Sequence, residues 1–113
     1  MEARAITRFV RISPFKAREV ARLIQGKTAR EAMAMVDLIP RKAARLISRT
    51  LRSAVANAEN ADANSVPADR LIVKEAVVGE GPTIRRFRPK ARGMAGRIRK
   101  RTSHLRVVVT DEV

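Results

Sequence analysis

From residue 81 to residue 106 the chain carries ten basic residues and no acid, yet strand-like sequence continues beyond that run. Taken alone, RRFRPKARGMAGRIRKR (residues 85–101) has the composition of a disordered basic tail. It is flanked, however, by RLIVKEAVV (residues 70–78) and by TSHLRVVVT (residues 102–110), both rich in β-branched residues. A structureless loop of more than about twenty residues is rare inside a compact domain. The alternative is that the two strands run outward as a two-stranded ribbon. Ile84, Phe87 and Ile98 supply its occasional apolar contacts, and Arg88-Pro89-Lys90-Ala91-Arg92-Gly93 supplies a turn-prone tip. With about ten to twelve residues on each side, such a ribbon reaches roughly 35 Å. A lone hairpin is marginal in water, and like charges make this one worse. Its outer part is therefore expected to be mobile when free and ordered among anions.

Charge bounds the partner. The 113 residues hold 25 Lys and Arg against 11 Asp and Glu, a net charge of +14. Outside residues 81–106, fifteen basic residues face all eleven acids, so most of the excess sits in under a quarter of the chain. Such an imbalance is tolerated when the partner is a polyanion. Forked guanidinium donors on both faces of a ribbon suit phosphates, and Ala91, Gly93, Ala95 and Gly96 keep its outer end slender.

Other chemistries find little support. There is no cysteine, hence no disulfide or thiolate metal site. The three aromatics, Phe9, Phe15 and Phe87, are too few for a base-stacking platform. His104 is the sole histidine and lacks acidic neighbours, so a hydrogen bond to RNA or to an adjacent strand is its expected role. No nucleophile triad or phosphate loop is present; no enzymatic activity, cofactor, metal or small-molecule substrate is expected. The N-terminus lacks a signal-peptide run and no segment reaches membrane-spanning length, which leads to the expectation of a soluble, cytoplasmic protein.

The whole chain, 1–113, reads as one domain, with a body at 1–80 and 103–113 and an arm at 81–102. Residues 3–12 form a strand with Ile6, Val10 and Ile12 on one side. Ser13-Pro14 is a helix start, followed by Ala17, Val20, Ala21 and Ile24 at helical spacing and by Gly26 as a stop. Thr28 and Glu31 form a capping box for a second helix with Ala32, Met35, Val36 and Ile39 inward. Pro40 ends it and can serve as the first turn of a third, with Ala44, Ile47, Leu51, Ala54, Val55 and Ala58 buried. That helix has a second stripe, Arg41, Arg45, Arg49 and Arg52. No acid occurs between Asp37 and Glu59, so the usual i, i+4 partners are missing and polyanion contact is favoured over a solvated face.

RISPFKAREVARLIQGK (residues 11–27), PRKAARLISRTLRSAVANAEN (residues 40–60) and EGPTIRRFRPKARGMAGRIRKRTSHLRVVV (residues 80–109) together resemble the bacterial L twenty-two family of large-subunit ribosomal proteins. The match runs in order over nearly the whole chain. The resemblance implies an α+β fold, three helices packed on a small three-stranded antiparallel sheet with a long protruding basic β-hairpin. It also implies binding to large-subunit ribosomal RNA and support of subunit assembly. Lys16 and Arg18 match family RNA-contacting positions, as do Lys42 and Arg45, and Asn57 and Asn60; Arg22 and Lys27 of the first block join them as candidates. Without the resemblance, Asn57 and Asn60 read as helix-terminal residues.

On the arm, Arg85, Arg86, Arg88, Lys90, Arg92, Arg97, Arg99, Lys100 and Arg101 are the candidate RNA contacts, with His104 at its base. In the family the hairpin lines the nascent-peptide tunnel near the macrolide site, which points to residues 84–94: Ile84, the arginines, Pro89, Lys90, Ala91, Gly93 and Met94. Met94 departs from a usually basic position, and Gly96 from a commonly polar one. The implied partners are ribosomal RNA, neighbouring ribosomal proteins and the nascent polypeptide, for a chain that is monomeric outside the ribosome and has no membrane partner. Two other classes fit the charge: an architectural DNA-binding protein with a basic β-arm, and a membrane-surface segment, which the shortage of large apolar residues in the arm disfavours.

Overall fold

The computed structural model describes residues 2–61, 66–89 and 95–111, and for 84–89 and 95–100 it describes the backbone. The order is β1 (Glu2–Val10), α1 (Pro14–Ile24), α2 (Ala29–Leu38), α3 (Lys42–Glu59), a 3₁₀ turn (Ala68–Arg70), β2 (Ile72–Glu80), β3 (Ile84–Pro89), β4 (Ala95–Lys100) and β5 (Ser103–Thr110). β5 is the centre of an antiparallel sheet ordered β1-β5-β2, while β3 and β4 pair only with each other. The radius of gyration is 17.1 Å, against roughly 13 Å for a compact chain of this length. Dimensions of 63 × 27 × 18 Å account for the excess: a body with an arm.

Helix faces follow the periodicity of the sequence. All the inward positions named for α1 and α3 are buried. In α2, Ala29, Ala32 and Val36 are buried, while Met35 and Ile39 lie half-buried at its margin. Thr28 caps α2, its hydroxyl oxygen accepting from the Glu31 amide at 3.3 Å. Ser13 occupies the N-cap of α1, but its side chain makes no capping bond. Gly26 has φ +78°, the left-handed conformation that ends α1 without a Cβ penalty.

Pro40 is not part of α3, which starts at Lys42. The Arg41 amide donates to the Ile39 carbonyl at 2.9 Å, so a tight turn around Pro40 separates the two helices. Similarly, Arg70 belongs to the 3₁₀ turn, and β2 begins two residues later.

The largest departure is in β1. Ile6 is 43% exposed, and it is Ala5 that is buried, with Ala3 and Thr7 half-buried on the same side. Period two then puts Arg4, Ile6 and Arg8 on the open face of the sheet. Val10 and Ile12 still face inward because the register slips between Thr7 and Val10. Phe9 takes φ +57° there, and its amide donates to His104 Nδ1 at 3.1 Å. One extra residue in the ladder swaps the faces, and sequence alternation alone cannot reveal it.

Both edges of the three-stranded sheet are covered. Along β2, the Gly26 amide donates to the Val73 carbonyl (2.9 Å), the Val73 amide to the Lys27 carbonyl (2.8 Å), and Gln25 Nε2 to the Ala76 carbonyl (2.7 Å). Along β1, Asn57 Nδ2 donates to the Arg4 carbonyl at 2.9 Å. These bonds occupy backbone groups that would otherwise template aggregation. Buried polar groups are matched too: Ser103 Oγ donates to the Ile12 carbonyl (2.7 Å), and Thr50 Oγ1 to the Leu46 carbonyl (3.1 Å) while meeting Thr7 Oγ1 at 2.8 Å. Across the open face, the Lys74 ammonium hydrogen-bonds Glu2 and holds its carboxyl below the usual carboxylate range.

The arm is not an unbroken extension of β2 and β5. Their ladder ends at Glu80↔Ser103, and the β3–β4 ladder begins at Ile84↔Lys100, so residues 81–83 stand against 101–102. Pro82 has no amide to donate, and three residues against two form a bulge that re-aims the strands. Gly81 N–H donates to the Thr102 carbonyl at 3.0 Å, and Thr102 Oγ1 to the Pro82 carbonyl at 2.6 Å. A Cβ on Gly81 would lie 2.5 Å from Thr102 Oγ1 and 3.3 Å from the Thr102 backbone. Gly81→Val is therefore expected to cost about 1–3 kcal/mol through overpacking. Thermal melts and amide exchange at residue 81 check it; an unchanged midpoint and unchanged protection would show that the joint has slack.

Candidate nucleic-acid interface

Most of the cations predicted to meet RNA fall into three regions. The first joins the starts of α1 and α3. Lys16, Arg41 and Lys42 line one cavity there, together with Ile12, Phe15, Glu19 and Ala43. Neither helix has an acid in its first turn or a side-chain capping bond, so both positive dipole ends face this region uncompensated. Lys42 Nζ donates to the Arg11 carbonyl at 2.7 Å, which holds its charge at the rim.

The second region runs along α3. The stripe reading needs correction here, because acids from other helices reach two of its four arginines. Arg41 pairs with Glu19 of α1 at 2.7 Å, and Arg52 with Asp37 of α2 at 2.8 Å. Ser48 Oγ donates to Asp37 Oδ1 at 3.3 Å and accepts from Arg52 Nε at 3.3 Å. Spacing along one helix cannot show partners supplied by packing. Both pairs are about half exposed, the kind worth 0–1 kcal/mol and readily exchanged for phosphate. Arg45 and Arg49 are exposed, and their guanidinium groups have no ion pair among the described residues.

The third region is the arm. Its register sets Arg85 opposite Arg99, Phe87 opposite Arg97 and Arg86 opposite Ile98. Like charges directly across an antiparallel pair are destabilising, and no acid lies in the segment to relieve them. Arg101 is exposed at the base. The candidates Lys90, Ala91, Arg92, Gly93 and Met94 lie outside the described residues, and with them most of the expected tip.

Several candidates have structural work inside the body. Arg18 donates from Nε and Nη2 to the Val78 carbonyl at 3.3 and 3.2 Å, bracing the edge of β2. Asn57 covers the β1 edge, and Asn60 is the C-cap of α3. His104 bonds the Phe9 amide through Nδ1, and the two rings meet edge to face at 4.9 Å. That bond needs a lone pair on Nδ1, so the ring proton sits on Nε2. Arg22 and Lys27 are exposed. The sequence reading passed over Arg4 and Arg8, exposed at alternate positions of β1, and Phe15, 70% exposed on the first turn of α1. Alternation was a signal for the two arginines once the face was known.

Among the described residues no group of three or more His, Asp or Glu could hold a metal ion, and no helix is long and apolar enough to cross a membrane.

Comparison with known proteins agrees with this architecture. The chain is 54% identical over 112 residues to the large ribosomal subunit protein uL22 of Methylacidiphilum infernorum, covering 99% of this chain and 96% of that one. It is 52% identical over 111 residues to that of Opitutus terrae (98% and 96% covered), and 51% over 112 residues to that of Staphylococcus aureus (98% and 93%). The family model described as ribosomal protein L22p/L17e matches residues 5–110, from the inward face of β1 through the arm to the end of β5. This chain, an α+β body with a basic two-stranded arm matched over nearly its whole length, belongs to the ribosomal protein L22p/L17e family.

Proposed function

We propose that this chain is a structural constituent of the large ribosomal subunit that binds large-subunit ribosomal RNA and supports assembly, without enzymatic activity. The observation that carries the reading is the partition of charge. An acid-free ribbon carries most of the net charge and leaves a body with a smaller basic excess and a fully formed core. Phosphate neutralisation then supplies affinity, and the rigid body supplies geometry. Recognition is driven by shape rather than by base sequence, as suits structured RNA.

The body docks through Lys16, Lys42, Arg45 and Arg49, whose charges are free or lightly held. Residues 81–102 act as an arm between RNA helices, where surrounding phosphates offset the Arg85–Arg99 opposition that water alone does not. The outer arm, residues 84–94, lines the nascent-peptide exit tunnel near the macrolide site. Neighbouring ribosomal proteins and the nascent polypeptide are its other partners, in the cytoplasm.

Competition binding tests this reading against a DNA-architectural one. Labelled large-subunit RNA bound to the chain should resist displacement by a molar equivalent of duplex DNA. Mole-for-mole displacement would sink the ribosomal reading in favour of a generic polyanion binder.

A further inference from the structure

Three phenylalanines cannot build a stacking platform, but one can serve a single base. Phe15 leaves 70% of its surface exposed on the first turn of α1. It lines a cavity of about 490 Å³ with Ile12 and Ala43 as the other apolar residues, within the size range of small-molecule sites. Phe9, the other exposed phenylalanine of the body, is already in edge contact with His104. No aromatic contact among the described residues involves Phe15.

The rim of this cavity is cationic. Lys16 has no ion pair among the described residues, and Lys42 is held there by the Arg11 carbonyl at 2.7 Å. The one acid in the lining, Glu19, is engaged by Arg41 at 2.7 Å. The occupant that complements this site has a flat apolar part and anionic groups beside it. An unpaired nucleotide has that chemistry: a base with a π-face between two phosphates. An apolar protein side chain would meet the same wall but leave the lysines without counter-charges.

We infer that the Phe15 cavity receives one unpaired base of the bound RNA, stacked on the phenyl ring, with its flanking phosphates on Lys16 and Lys42. This rests on the RNA-binding reading above. Phe15 is exposed, so its replacement leaves the core intact.

The test measures affinity of the full chain for a large-subunit ribosomal RNA transcript across a salt series. Wild type is compared with Phe15→Ala, Phe15→Leu and Leu38→Ala, an apolar truncation at an exposed site outside the cavity. Phe15→Ala is expected to weaken binding roughly 5- to 150-fold, the range for one lost stack. The salt slope stays unchanged, because no phosphate contact is removed. Phe15→Leu recovers only part of the loss, Leu38→Ala binds as wild type does, and base-specific chemical footprinting finds one base protected by wild type but reactive with Phe15→Ala. Wild-type affinity in Phe15→Ala, full recovery in Phe15→Leu, or an identical footprint overturns the inference while leaving RNA binding standing. Should wild type itself prefer duplex DNA to the transcript, the RNA reading falls first, and that outcome is read without any variant.

Discussion

Excising residues 85–101 and closing the chain with a two-residue turn is expected to weaken binding to large-subunit RNA about a hundred-fold or more at moderate salt. The segment removes nine basic residues and no acid. If about half of them neutralise phosphates, the slope of log affinity against log salt falls by roughly three to five. The body should stay folded, since the β2–β5 ladder closes at Glu80↔Ser103 and β3 and β4 pair with no other strand. A retained cooperative thermal transition checks that point, and in cells the same deletion should change macrolide response. A salt slope equal to that of the intact chain would show that the arm is not the electrostatic element.

The second large effect concerns stability. Leu51→Ala is expected to cost about 2–5 kcal/mol, near the upper end for a buried leucine. Leu51 is fully buried on α3, and among the described residues the other Ile and Leu side chains buried to a similar degree are Ile24, Ile47, Leu71 and Leu105. Much of the remaining core is alanine: Ala17, Ala21, Ala32, Ala44, Ala54 and Ala58 let the helices approach closely but bury little area each. Total stabilities are commonly 5–15 kcal/mol, so one leucine carries a large share of the margin. At roughly 4–8 °C per kcal/mol, the midpoint should fall by more than about 10 °C. A drop of only a few degrees would mean that α3 can collapse onto the sheet and close the cavity.

How much of this was legible beforehand differs by element. α1 and α3 were readable because apolar residues at i, i+3, i+4 and i+7 leave one consistent inward face. β5 was readable from its alternation at Leu105, Val107 and Val109, all buried, although Val108 and Thr110 at its end are buried as well. β1 misled because a single extra residue near Phe9 exchanges the two faces, and nothing in the local composition marks it. The arginine stripe misled in a related way. Its helix contains no acids to pair with, but Glu19 and Asp37 arrive from α1 and α2 once the helices pack. The Phe15 cavity was hidden because its walls lie almost thirty residues apart along the chain.

By itself, the sequence determined which segments are helical, where the charge excess lies, and that the excess needs a polyanion. These are local or additive properties: periodicity, capping and a count. Only the tertiary structure decided which face of β1 is buried, which cations are already paired, and where the arm departs from the body at Gly81, Pro82 and Thr102. Each of those depends on register or on contacts between distant segments. A one-residue slip or an approaching helix changes them without altering the pattern along the chain.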